Sequence, residues 1–427
     1  MINFSKLKKT NQLIIFLTFI FFITINLIYF YIILKQEHNV YAFNELFVNY
    51  QAGFIRRGLL GEIAWQLNKY FLLDPKKFFS LFFLTIHLSQ LIFFYYLCKK
   101  FLFNNLFFIF IFFSPTLLLF HIYNVDLYFL KDSIIKLGFS IHAFTFCYFF
   151  IYKNDKIKYW RYLSTLIIPI LFLVILIHEY QIFYLSLHFL ISLGSIHTKA
   201  EFKKLLKIYM PLIISILLII FFFGNEVQFD TLSGVLEEFN VKLNPYLGGG
   251  LYSYIGGFYK WHFFYFSYRD FINLLFSIIL SILIFYVIFQ SLIKKKLIKF
   301  NIHYQKNYLL FFLPTIIPFL LTSDHGRNLT FISYHLVIFY STLNFNYFKI
   351  NKLTTKIFQN ILFKILIILL LFFFTFMWKL DQMAGFGLQG KPNDIFQSSL
   401  FAEIIKFVKY LYFYIDSNII SLPEINL

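Results

Sequence analysis

Four short stretches carry most of the side chains in this sequence whose types and spacing could do chemistry. They are "GFIRRGLLGE" with Arg56, Arg57 and Glu62, "NVDLYFLKDSIIK" with Asp126, Lys131 and Asp132, "ILIHEYQIF" with His178 and Glu179, and "SDHGRN" with Asp324, His325 and Arg327. Adjacent arginines offer a fork of N–H donors that matches a phosphate or pyrophosphate. Their alternatives are contact with lipid headgroups or an internal ion pair with Glu45 or Glu62. A histidine beside a glutamate suits general acid/base work, because histidine titrates near neutrality and a carboxylate tunes it. Zinc-protease spacing is absent, since residue 182 is Ile where a second histidine would stand. Lys131 and Asp132 could bind a substrate phosphate and a sugar hydroxyl, or serve only as a snorkelling lysine and a helix cap. Asp324 could orient Arg327 toward an anionic group. The expected site is therefore His178, Glu179 and Asp324 as catalytic groups, and Arg56, Arg57, Lys131 and Arg327 as phosphate ligands. Glu45, Glu62, Asp132 and His325 would support them. No metal site and no cofactor are expected, with a divalent cation at the His178–Glu179 pair as the one open addition.

The elements that must position these groups are membrane helices. The 427 residues are 60% hydrophobic and only 14% charged, against roughly 45–50% and about 25% in soluble domains. Eleven apolar runs approach the length of about 20 residues that crosses a bilayer. They cover 13–34, 78–98, 103–121, 133–152, 162–178, 180–196, 208–224, 271–292, 308–322, 329–347 and 361–378. The first is too long for a removed signal peptide and reads as a retained span. With the N-terminus inside, the inner loops collect "KNDKIKYWR", "HTKAEFKKLLK" and "KKKLIKF". Only Asp155 and Glu201 of the chain's 20 acidic residues fall there. That asymmetry is the positive-inside pattern and places the N-terminus in the cytoplasm. The net charge of +18 is spread over these loops, not gathered into a nucleic-acid footprint.

All four chemistry-bearing stretches then lie on the outer side. The first outer loop, 35–77, holds an amphipathic pattern over Ile55–Phe71 that predicts an interfacial helix with Arg56 and Arg57 in its first turn. Gly53 and Gly58 would allow a sharp entry or close backbone approach. A second outer loop, 225–270, mixes glycines with Tyr252, Tyr254, Tyr259 and Trp261, which could stack on sugar rings or form an aromatic belt. Its glycines lack the lysine of a phosphate loop. In the outer tail, 379–427, an apolar run bearing Glu403, Lys406 and Lys409 fits an interfacial helix better than a twelfth span. Pro314 and Pro318 are expected to kink or break the ninth span. Cys98 and Cys147 are too few and too badly placed for a disulfide or metal framework. With no internal repeat and no linker, 1–427 reads as one all-α, polytopic membrane domain. His87, Lys136 and His142 appear scattered through the spans, which speaks against a continuous transport path.

The first-loop, "LKDS", "HEY" and "DHGRN" motifs together resemble bacterial surface-polysaccharide polymerases and C-superfamily membrane glycosyltransferases. The resemblance implies a multi-pass protein of the bacterial cytoplasmic membrane. Its substrate would be a lipid-linked sugar or glycan, its other partners membrane lipids, and its outward-facing arginines would hold undecaprenyl pyrophosphate. On this chain those arginines are Arg56, Arg57 and Arg327. An acidic pair in the first outer loop, typical of the C-superfamily, is missing, since Glu37, Glu45 and Glu62 are not adjacent. The expected function is transfer or polymerisation of sugars from a polyprenyl-(pyro)phosphate donor at the outer face. The alternatives are a transporter or flippase of lipid-linked oligosaccharide and a non-catalytic assembly protein.

Overall fold

Apolar runs with few helix breakers have one way to satisfy their backbone in lipid, and every regular element among the described residues is helical. The computed structural model describes residues 9–35, 45–54, 57–98, 105–114, 116–122, 125–221, 226–237, 308–321, 325–342 and 361–376, with five further positions between 275 and 282. Twelve helices are used below. They are α1 (Lys9–Lys35), α2 (Leu59–Phe71), α3 (Pro75–Cys98), α4 (Asn105–Phe112), α5 (Asp132–Tyr152), α6 (Lys156–Ile177), α7 (Gln181–Leu193), α8 (Lys199–Phe221), α9 (Glu226–Glu237), α10 (Tyr308–Leu321), α11 (His325–Thr342) and α12 (Ile361–Phe376). Of these, α3, α5 and α6 are long and apolar enough to cross a membrane, and Leu13–Ile28 and α7 are shorter apolar helices.

The bundle is organised around α5, which packs on α3, α6, α7 and α11. Burial explains its sequence. Every residue of α5 from Asp132 to Ala143 is buried except Ile141, which is half-buried. Helices at the periphery are the reverse, and keep large apolar side chains on the surface. Examples are Leu13, Phe16 and Leu17 of α1, Ile213, Ile214 and Leu217 of α8, and Ile365, Leu366 and Leu369 of α12. Such surfaces are stable against hydrocarbon and unfavourable against water.

Three expectations about elements are corrected. The run 103–121 is not one span. Its helix α4 has 8 residues, about 12 Å of rise against a core of about 30 Å. The chain then turns at Ser114 and resumes as one 3₁₀ turn at Leu119–Ile122. The helix of the first loop starts at Leu59, not Ile55, so Arg57 precedes it. Helix α10 continues through both Pro314 and Pro318, so the ninth span is not broken there. Of the run 271–292 only five positions between 275 and 282 are described, and the aromatic loop beyond residue 237 and the tail 379–427 lie outside the described residues.

Helix direction and one ion pair define the ends of the bundle. Helix α5 rises through 21 residues, about 31 Å, from Asp132 to a turn at Lys153–Asp155. Helix α6 returns through 22 residues to His178. At the lysine-rich end, Lys156 Nζ donates to Glu201 Oε1 at 2.6 Å and ties the two basic loops together. The groups singled out in the sequence therefore gather at the opposite end.

Candidate functional site

The site begins with how each side chain is presented. Helix α6 ends at His178, whose backbone is extended (φ −155°, ψ 109°), and α7 begins three residues later. That tight turn pushes His178 and Glu179 into the bundle. Asp132 opens α5 without a side-chain cap on its N-terminus. Arg327 lies in the first turn of α11. Arg57 sits just before α2 with φ 67°, a left-handed conformation that a residue with a Cβ adopts only when its surroundings impose it. Gly61 shows why the segment is so constrained, because its α-carbon lies against the backbone of Val48 and Leu46.

These segments meet in one buried ionic network. Arg57 Nε donates to both carboxylate oxygens of Glu179 at 2.8 and 2.7 Å, and its Nη2 also bonds Glu179 Oε1. Arg57 Nη1 donates to Glu45 Oε1 at 2.8 Å. Lys131 Nζ donates to the backbone carbonyls of Glu45 and Arg57, both at 3.1 Å, and lies 3.8 Å from Glu45 Oε1. Arg327 grips Asp132 in two bonds of 2.5 Å, Nε to Oδ2 and Nη2 to Oδ1. His178 Nε2 lies 2.6 Å from Arg327 Nη2 and 3.2 Å from Asp132 Oδ1, and its Nδ1 faces Glu179 Oε2 at 3.5 Å. Tyr180 closes the cluster, its ring stacked on His178 and lying 4.9 Å from the Arg327 guanidinium carbon. His178, Glu179, Asp132 and Lys131 are each no more than 2% exposed.

The environment tunes the groups outside the helices. Burial pushes the Glu45 carboxyl up, but the charges of Arg57 and Lys131 outweigh it and hold it down at about 2. Burial pulls Lys131 down to about 8, with Glu45 opposing and Arg57 reinforcing the shift. One turn below Asp132, Lys136 is also buried. Its ammonium lies 3.0 Å from His121 Nε2 and 5.3–5.6 Å from the ring centres of Phe120, Phe331 and Tyr334. Among the described residues, the cations Arg57, Lys131, Lys136 and Arg327 thus share a region with the carboxylates Glu45, Asp132 and Glu179.

Several expectations change. Arg57 makes the internal ion pair with Glu45 named among its alternatives, and adds Glu179. Asp132 orients Arg327 and does not cap its helix. Lys131 does not snorkel. Glu62 stands apart, accepting from Tyr50 N, Gln51 Nε2 and Gln66 Nε2 at 2.5–3.0 Å. Arg56 and Asp324 lie outside the described residues, as do the side chains of His325 and Asp126. Lys136 and Tyr180 were missed; the signal for Lys136 was its i+4 spacing from Asp132, which puts both on one helix face. Nor are His87, Lys136 and His142 scattered, since all three turn inward around α5. Among the described residues no group of three His, Cys, Asp or Glu side chains is placed to hold a metal ion.

An ionic cluster closing one end of a helical bundle, with helices able to cross a membrane beneath it, defines an all-helical membrane-type protein with a buried polar site. The chain matches no family model, and no curated protein or solved structure matches it.

Proposed function

We propose that this cluster is the reaction centre of a membrane glycosyltransferase or polysaccharide polymerase that acts on a polyprenyl-(pyro)phosphate-linked sugar. The observation that carries the reading is the convergence of Arg57, Lys131 and Arg327 on one cluster where five chain segments meet. A phosphate diester or pyrophosphate matches the guanidinium fork.

The reaction follows from partner exchange. The donor's phosphate takes Arg57 from Glu179, and the released carboxylate accepts the proton of the acceptor hydroxyl. The hydroxyl oxygen bonds to the anomeric carbon as the carbon–oxygen bond to phosphate breaks. The electron pair leaves on the phosphate, where Arg57, Arg327 and Lys131 stabilise it. His178 Nδ1 faces Glu179 Oε2 at 3.5 Å, and Asp132 holds Arg327 in place. In the source strain, Arg57→Ala and Glu179→Gln are expected to shorten or abolish surface glycan at normal protein levels. Unchanged glycan chain length in both would sink the assignment.

The reading places about eleven crossings in the bacterial cytoplasmic membrane, with the N-terminus inside and the cluster outside. Its support is the lysine-rich opposite end, joined by Lys156 and Glu201. In a protein with Cys98 and Cys147 replaced by Ala, a cysteine at Tyr70 (69% exposed) is expected to react with an impermeant maleimide on intact spheroplasts. A cysteine at Ile157 (78% exposed) is expected to react only after permeabilisation. The reverse pattern would place the cluster in the cytoplasm.

A further inference from the structure

Below the ionic cluster, α5, α7 and α11 enclose a second set of polar side chains that glycosyl transfer does not use. Ser140 Oγ of α5 lies 2.8 Å from Tyr334 Oη of α11. Further along α5, His142 Nδ1 meets His188 Nδ1 of α7 at 2.9 Å. The other nitrogen, His142 Nε2, lies 3.1 Å from Tyr159 Oη. Tyr159 Oη lies 3.1 Å from Ser192 Oγ, and Ser192 Oγ lies 3.0 Å from Tyr209 Oη of α8. His142, His188, Tyr159 and Ser192 are all fully buried. Tyr159 stands one turn inside Asp155, so this network reaches the lysine-rich end.

Between that network and the ionic cluster lies a run of buried polar atoms that no protein group satisfies. On one face of α7 they are both amide atoms of Gln181, Tyr184 Oη and His188 Nε2, at positions i, i+3 and i+7; on α11 there is His335 Nε2. They share one compartment. The Tyr184 ring stacks on His335 at 4.5 Å, and Phe139 of α5 touches His335 at 4.5 Å and His188 at 4.9 Å. Tyr184 is within Coulombic reach of Asp132 and Arg327, His335 of Lys136, and His188 of His335. His121 and Lys136 flank the upper part.

We propose that this seam is a proton-transfer line, completed by buried water, between the Asp132–His178–Arg327 cluster and Tyr159–Tyr209 at the opposite end. Two features separate it from polar glue between helices. Its imidazoles, phenols and hydroxyls both accept and donate, as relay by successive hydrogen-bond exchange requires, and the Gln181 amide can orient water beside them. Glue would also be self-satisfied, whereas Gln181, Tyr184, His188 and His335 each keep a buried polar atom that no protein group satisfies. From Asp132 to His142 the line covers ten residues of helix, about 15 Å, and Tyr159 carries it onward. Each transit breaks and forms only N–H and O–H bonds, takes a proton from water at one end and returns one at the other. One positive charge crosses per proton. The proposal does not depend on the glycosyl-transfer reading: the line would export the proton of an acceptor hydroxyl or couple proton flow to solute movement equally well.

The test uses the full chain in liposomes loaded with pyranine, with a valinomycin-clamped potassium gradient as driving force. Wild type is expected to acidify or alkalise the lumen at least tenfold faster than protein-free liposomes. Tyr184→Phe, which removes only a hydroxyl that no protein group satisfies, is expected to cut that rate at least fivefold. His188→Phe, which keeps the ring against Phe139, is expected to abolish it. Elution as a single species in detergent certifies that both variants are folded. Wild-type flux no faster than protein-free liposomes overturns the proposal, and so does a folded Tyr184→Phe protein with wild-type flux. Glycan shortened by Arg57→Ala in the absence of any flux would retain the reaction centre and remove the proton line.

Discussion

Asp132→Ala is expected to leave little folded protein after detergent extraction, whereas Asp132→Leu combined with Arg327→Met restores folding without restoring function. The carboxylate accepts two bonds of 2.5 Å from Arg327 and lies 3.2 Å from His178 Nε2, in a setting where Asp132 is 1% exposed. Removing one member of such a pair strands the other charge, at a cost of about 3–5 kcal/mol. Total stability is about 5–15 kcal/mol, so the loss is a large part of it. Replacing both partners by apolar residues of similar volume removes the desolvation cost along with the attraction, and is often neutral. Thermal unfolding followed by size-exclusion chromatography measures both. A single variant as stable as wild type would mean that water reaches Arg327 freely.

Gly61→Ala is expected to lower the melting temperature by several degrees and to weaken function beyond what the stability loss explains. A Cβ at this position would stand 2.0 Å from Val48 O, 2.7 Å from Val48 C and 2.8 Å from Leu46 O. All three are backbone atoms, so no rotamer change relieves the contact. Helix α2 must then lift away from residues 46–48, and Arg57 and Glu45 flank that junction. Overpacking ordinarily costs about 1–3 kcal/mol. The matched control is Gly138→Ala on α5, where the nearest atom is Val174 Cγ2 at 3.7 Å. It should be tolerated, since alanine in a helix interior gains about 1 kcal/mol over glycine. Equal melting temperatures for the two variants would remove the argument that α2 is locked to the loop before it.

The helices and the clustering of polar residues at their ends were legible from apolar run length and from the one-sided placement of Lys and Arg. Partner choice was not. Asp132 holds Arg327 from 195 residues away, because helix packing around α5 sets distance and chain order does not. Glycine roles were legible only in part. Gly53 takes the positive φ of 100° that its turn requires, while Gly61 inside α2 makes the close approach, visible only once residues 46–48 are placed across it. The break in the run 103–121 had a local signal, the Ser114-Pro115 pair, that apolar averaging hid. The polar seam had one too: Asp132, Lys136 and Ser140 recur every fourth residue, and Gln181, Tyr184 and His188 follow the helical period. Both sets are diluted by the phenylalanine and isoleucine around them, so hydropathy windows pass over them.

The separation of Asp132 from Arg327 also sets a timetable for making the protein. A ribosome adding about 5–20 residues per second needs about 10–40 s to cover the 195 residues between them. His178 arrives after 46 residues, but the guanidinium that neutralises the aspartate comes only with α11. Through that interval α5 is already synthesised while Asp132 lacks its guanidinium partner. Biogenesis must therefore keep that end in water, or shelter it within the insertion machinery, until the last partner emerges.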